Sequence, residues 1–461
     1  MLPEPSITFT VPSLHDGLPI NCRVYHPASL AASPSAPPWK KHTAIFAHPY
    51  APLGGSYDDH VVDAVAGTLL RMGFLVGTFN FRGARGSAGK TSWTAKAERG
   101  DYMAVVGFLA HYVHFLDPFR RVTIRLSDTP IREDEIILDG SSVSKIRVCP
   151  PDFSQGTSHL PNAAQPVFLL GGYSYGSMIA SQLPYLETIL SVFETPECGS
   201  TAAEVRLRAE HLAEKENTLL ASARIAVIDQ QAQKSPRRAL GLRIGGDEDN
   251  RKSHESRRPM SVELEEKIRH GVEELMAKTK KGQKKTKSSQ VDGLDGVMRD
   301  TPKPEVEHLL PVLNRTTYQP AYLLVSPLQG VVTNLATMSM PTSLLGFGQR
   351  AWNRLPARTG STVSQSAQAR PAALRQVASP EAEDKLVKNQ TLAIYGDSDG
   401  FVSARRLRQW ASRLEGIPGS QFRAHEVSGA NHFWNERKAA FTLRDAVRTF
   451  VESVLKDDVL T

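Results

Sequence analysis

Cysteine is scarce: Cys22, Cys149 and Cys198 are far apart and odd in number. No C-x-x-C spacing joins them, which argues against a zinc ribbon or a disulfide framework. That usage fits a reducing compartment, so the expected location is cytoplasmic. No apolar run reaches the ~18 residues that would span a bilayer. The opening MLPEPSITFTVPS lacks the basic start and apolar middle of a secretory leader. G-x-G-x-x-G and Walker patterns are absent, and His60, His111 and His114 have no ligand partners at useful spacing. The expectation is therefore no nucleotide cofactor and no metal. No internal repeat of propeller-blade length occurs.

What is present is long and unevenly charged. A chain of 461 residues exceeds the usual length of one compact domain. Its formal charge is +7, but Lys234 to Lys303 holds 18 Lys/Arg against 12 Asp/Glu, so nearly all the excess is local. Six lysines fall within Lys278–Lys287 with no aromatic between them. That run reads as a solvated tether rather than a nucleic-acid contact, and it leaves a nuclear address open as well.

The apolar pattern places strands at Ile7–Val11, Ile20–Tyr25, Thr43–Ala47, Phe74–Phe79, Val167–Leu170, Tyr318–Val325, Thr391–Tyr395 and Phe422–Val427. Helices are expected at Asp58–Met72, Asp101–Phe115, Ser200–Gln233, Val262–Met276 and Arg437–Leu455. Strands alternating with helices imply a mostly parallel central sheet with helices on both faces, the α/β class. We divide the chain into a first core part (1–184, with a loop excursion at 117–165), a basic, helical and partly disordered insertion (185–315), and a second core part (316–461). The second part carries a lid-like or flexible segment at 328–387.

The chain is organised around Pro166–Ala180. An apolar strand runs into Gly172-Tyr173-Ser174-Tyr175-Gly176, and a small-residue run that opens a helix follows. G-x-S-x-G between strand and helix is the context of a nucleophile elbow, where the glycines leave room for neighbouring strand and helix. A serine hydroxyl needs a base, usually a histidine oriented by a carboxylate. Gly396-Asp397-Ser398-Asp399 follows one later strand and Asn431-His432-Phe433 follows the next. Asp397 and Asp399 both stand where the carboxylate belongs.

Taken together, His48-Pro49 with Gly54-Gly55, Asn80-Phe81-Arg82-Gly83, Gly172–Gly176, Gly396–Asp399 and His432-Phe433 resemble the α/β-hydrolases. Within them, the set is similar to small serine hydrolases with H-P-x4-G-G, N-F-R-G, G-x-S-x-G, G-x-x-D and a final H-F. The resemblance covers roughly Ile20 to Leu455, interrupted by the excursion and the insertion. It implies Ser174 as nucleophile, His432 as general base and then acid, and Asp399 as the orienting residue, since G-x-x-D spacing favours it over Asp397. The implied oxyanion hole is the backbone N–H of Tyr175 with that of Tyr50, because Pro49 has none to give. His48 and Arg82 are expected to shape and tie loops. Such proteins include carboxylesterases, thioesterases and acyl-peptide and prolyl peptidases, so the expected partner is a small-molecule or peptide acyl substrate. Two rival readings stay open: a catalytically silent scaffold whose insertion binds a partner, and a peptidase or acyl-transferase using the same triad.

Overall fold

The computed structural model describes residues 1–92, 94–119, 165–234, 307–328 and 380–457. Cys149, the expected helix at Val262–Met276, the lysine run Lys278–Lys287 and most of 328–387 lie outside them. The strands are β1 (Ile7–Pro12), β2 (Pro19–Tyr25), β3 (Thr43–Ala47), β4 (Leu75–Phe79), β5 (Val167–Tyr173), β6 (Gln319–Val325), β7 (Thr391–Gly396) and β8 (Phe422–Val427). They form one sheet in the order β1-β2-β4-β3-β5-β6-β7-β8. β1 and β2 pair antiparallel, as do β2 and β4, and every later neighbour is parallel.

Parallel strands joined by helical crossovers must be covered on both faces, which is why their sequences are apolar throughout rather than alternating. β3, β4 and β5 are buried at every residue. Alternate side chains feed two separate cores. Ile45, Phe168, Leu170, Tyr322 and Leu324 pack on one face with α2 (Lys96–Phe115), α3 (Tyr175–Gln182), α4 (Leu186–Ser191) and α5 (Thr201–Lys234). On the other face, Phe46, Leu169, Leu323 and Ile394 pack with α1 (His60–Arg71) and α8 (Arg437–Asp457). This is the α/β-hydrolase fold that the motifs imply.

Asp59 caps α1 by accepting from the N–H groups of Val61 and Val62. α2 starts five residues before the expected Asp101, because Glu98 and Ala97 are buried parts of the same face. α4 and the first half of α5 fall inside the stretch read as an insertion, yet Ala203, Val205, Ala209 and Leu212 of α5 are buried in the core. Asn217 fastens α5 to the end of α2, accepting from Asp117 N at 2.7 Å and donating to Phe115 O at 2.9 Å.

Besides α4, two helices went unread in the sequence. One is α7 (Ala404–Glu415), arginine-rich outside with Leu407, Trp410 and Leu414 inside. The other, α6 (Pro380–Lys388), spans the end of the segment read as lid-like or flexible. Its Lys385 is fully buried, and Nζ donates to the carbonyls of Ala180 (3.0 Å) and Leu183 at the end of α3. A hydrophobic pattern does not reveal a helix whose inward contact is an amine. Burial holds this amine well below its ordinary 10.5. Between that depressed value and 10.5 the unfolded chain carries the extra proton, so stability rises with pH there and falls as pH drops toward the folded value. The expected result is a steeper rise of unfolding free energy for wild type than for Lys385→Met across about pH 8–10, by up to ~1.4 kcal/mol per pH unit. Matching slopes in urea titrations would mean that the buried amine stays charged.

Candidate active site

The carboxyl ends of β3, β4, β5, β7 and β8 hold the motif residues, where a sheet of this kind binds its ligands. Ser174 follows β5 directly with φ 56° and ψ −112°, a backbone conformation rare for a side-chain-bearing residue. The elbow closes only because of its glycines. A Cβ on Gly172 would lie 2.4 Å from Gly176 C, and one on Gly176 would lie 2.6 Å from the carbonyl oxygens of Ala47 and His48. Ser174 N donates to Val325 O at 2.8 Å, fixing the turn to the neighbouring strand.

Across 258 residues of chain, His432 Nε2 comes to 2.8 Å from Ser174 Oγ. Its Nδ1 lies 2.7 Å from Asp399 Oδ2. A carboxylate only accepts, so Nδ1 carries the hydrogen and Nε2 is left to accept from the serine hydroxyl. All three groups are buried, with Ser174 retaining 5% exposure. The other oxygen of Asp399 accepts from Phe401 N (2.8 Å) and Val402 N (3.1 Å), so the carboxylate also shapes its own loop. Asp397 stands apart from His432. It is partly exposed and accepts from Gly429 N, Ser428 Oγ and Ser398 Oγ, and the Gly429 bond leads in lowering its pKa.

The loop after β3 folds back on itself: Leu53 N and Gly55 N both donate to Tyr50 O. A Cβ on Gly55 would meet Pro49 O at 2.3 Å, which accounts for the second glycine of the pair. The rings of Tyr50 and Tyr175 meet edge to face at 5.2 Å. Tyr175 is the first residue of α3, whose opening N–H groups have no partner inside the helix. His48 is fully committed to structure. Phe81 N donates to its Nε2 at 2.8 Å, so Nδ1 holds the hydrogen and donates to Pro49 O. Burial drives its pKa down to about 4, against the Pro49 bond, and keeps it neutral.

Asn80, Phe81 and Arg82 each have a fixed partner. Asn80 accepts from Tyr57 N and donates to Arg85 O. Arg82 is buried and donates to Asp101, Asp16 and Ser13. Its bond leads in lowering the pKa of Asp16. Gly83 turns at φ +76°, and a Cβ there would lie 2.9 Å from Thr91 N.

Other contacts at the site gave no signal in the sequence. Tyr173 Oη donates to His432 O at 2.8 Å, and Trp434 Nε1 donates to Ser326 Oγ at 3.0 Å. His60 Nε2 lies 2.7 Å from Phe433 O. Together they hold residues 432–434 from three elements. Phe401 lies 4.5 Å from the His432 ring, and Phe433 is half exposed beside it. Among the described residues no His/Cys/Asp/Glu group could hold a metal, and no helix is long and apolar enough to cross a membrane.

The chain matches no protein-family model and no curated protein. Among solved structures it is similar to an alpha-beta serine hydrolase homologue from Coxiella burnetii, at 11% identity over 97% of this chain and 99% of that one, TM-score 0.38. It is also similar to an a/b serine hydrolase without lid from Xanthomonas campestris, at 15% identity over 98% and 96%, TM-score 0.37. A third is esterase 2 of Thermogutta terrifontis, at 11% identity over 99% and 96%, TM-score 0.36. With such loose superpositions, the fold is read from this chain's own strand order and connections.

Proposed function

We propose that the protein is a serine hydrolase that cleaves an ester, thioester or amide through an acyl-enzyme on Ser174. The observation that carries this reading is the buried line from Ser174 Oγ through His432 to Asp399, at 2.8 and 2.7 Å, on a strained strand-to-helix turn. In this reading Ser174 Oγ attacks the acyl carbon as its proton passes to His432 Nε2. Asp399 holds the ring in the accepting tautomer and stabilises the imidazolium. The N–H groups of Tyr175 and Tyr50 take the oxyanion, which is worth roughly 2.7–4 kcal/mol per donor where measured. His432 then protonates the leaving group, and water repeats the sequence to release the acid. Phe401 and Phe433 beside His432 suit a substrate with an apolar portion.

A fluorophosphonate probe tests the reading directly. The expected result is one phosphonyl adduct per chain, located on the Ser174 peptide by mass spectrometry. Folded protein that takes up no adduct, or takes it elsewhere, would overturn the proposal.

A further inference from the structure

At the opposite end of the sheet from Ser174, three side chains gather around the Phe193–Glu194 turn that follows α4. Arg206 of α5 is 7% exposed. Its Nη1 donates to the carbonyls of Phe193 (3.4 Å) and Glu194 (2.8 Å), and its Nη2 to that of Leu310. Arg315, just before β6, donates from Nη2 to Glu194 Oε1 at 3.1 Å. His111 of α2 is fully buried, with its ring 5.9 Å from that of Phe193. Its Nδ1 lies 2.8 Å from Gly107 O. A carbonyl only accepts, so the hydrogen is on Nδ1 and Nε2 is an acceptor.

Among the described residues, Arg206 Nε, Arg315 Nη1 and His111 Nε2 are all buried with no hydrogen-bond partner. Three of the eight such atoms among the described residues lie around this one turn, and it is their grouping that calls for an occupant. Both guanidinium charges reach His111. Burial lowers its pKa to about 4, the Gly107 bond opposes this, and Arg206 and Arg315 lower it further. The imidazole is therefore neutral and asks its partner for a proton donor, while the two arginines ask for acceptors.

We propose that this cluster binds a small oxyanion that still carries a proton, of the hydrogen phosphate type. Its charged oxygens accept from Arg206 Nε and Arg315 Nη1, and its O–H donates to His111 Nε2. The enclosure of His111 and Arg206 selects a free ion over a phosphate borne on a larger molecule. The site lies away from Ser174 and makes no demand on the hydrolytic reading.

Calorimetric titration of the full chain at neutral pH and fixed ionic strength tests it, with inorganic phosphate, sulfate and glycerol phosphate as separate probes. Phosphate is expected to bind saturably at one site. Sulfate has no proton at neutral pH and leaves His111 Nε2 unpaired, so it should bind about tenfold or more weaker. Arg315→Gln, at a partly exposed position, should weaken phosphate by about tenfold or more, because it removes one charge-assisted bond. His111→Phe should erase the preference for phosphate over sulfate. Absence of saturable phosphate binding to folded wild type would mean that water alone fills the cluster, and the proposal fails. Equal binding of both ions, unmoved by Arg315→Gln, would overturn it too. Glycerol phosphate binding as tightly as phosphate would reject the free-ion assignment.

Discussion

Ser174→Ala is expected to lower kcat on an activated ester by on the order of 10⁶, and Asp399→Asn by about 10⁴, with little change in KM in either case. The two losses have different causes. Alanine accepts the φ 56°, ψ −112° backbone no worse than serine and removes only the bond to His432, so the fold stays while, on the proposed mechanism, the acyl acceptor goes. Asparagine at 399 keeps an oxygen for Phe401 N and Val402 N, so the loop also stays. Its amide, however, presents N–H to His432 Nδ1. The ring must then carry its hydrogen on Nε2, which can no longer accept the serine proton. Asp397→Asn is the matched control, expected within about twofold of wild type, because that carboxylate serves the Ser428–Gly429 turn. Steady-state kinetics on the three variants separates these outcomes. An Asp397 loss larger than the Asp399 loss would reassign the orienting carboxylate.

Arg82→Met should destabilise the fold by about 3–5 kcal/mol, the usual result of removing one partner from a buried ion pair. Asp101 is fully buried and takes bonds from Arg82 N (3.1 Å), Nε (3.0 Å) and Nη2 (2.6 Å). Methionine leaves that carboxylate with the backbone N–H as its remaining bond to residue 82 and cuts the tie to Asp16 and Ser13. Removing the stranded charge as well, in Arg82→Met with Asp101→Leu, should recover most of the loss. Urea midpoints at unchanged m-value measure both. A single variant within about 1 kcal/mol of wild type would show that water reaches Asp101.

The hydrolase fold was legible because its central strands are buried on both faces. Runs such as Val167–Leu170 and Leu323–Val325 have no polar face to obscure them. The elbow was legible because packing dictates its glycines: at Gly172 and Gly176 any Cβ meets backbone. Choosing Asp399 over Asp397 needed a spacing rule, and the structure places Asp399, not Asp397, against His432. Tyr173, Trp434 and His60 could not be found in advance, since their partners are carbonyls and a hydroxyl brought close only by the fold. α6 and α7 were hidden for another reason. Their inner faces are narrow, and one is centred on an amine. The first half of α5 looked like part of an insertion because it is interrupted by charges, yet small residues such as Ala203 and Ala209 let it lie close against the core.

Ser174 and His432 lie 258 positions apart along the chain and 2.8 Å apart in space. A contact of that separation can close only after β5, β6, β7 and β8 have taken their places side by side, and long-range closures of this kind come late in folding. Newly made or refolding chains would therefore gain helix well before Ser174 meets His432. On the hydrolytic reading we propose, the Ser174 hydroxyl would meet its base only once the last strand is docked.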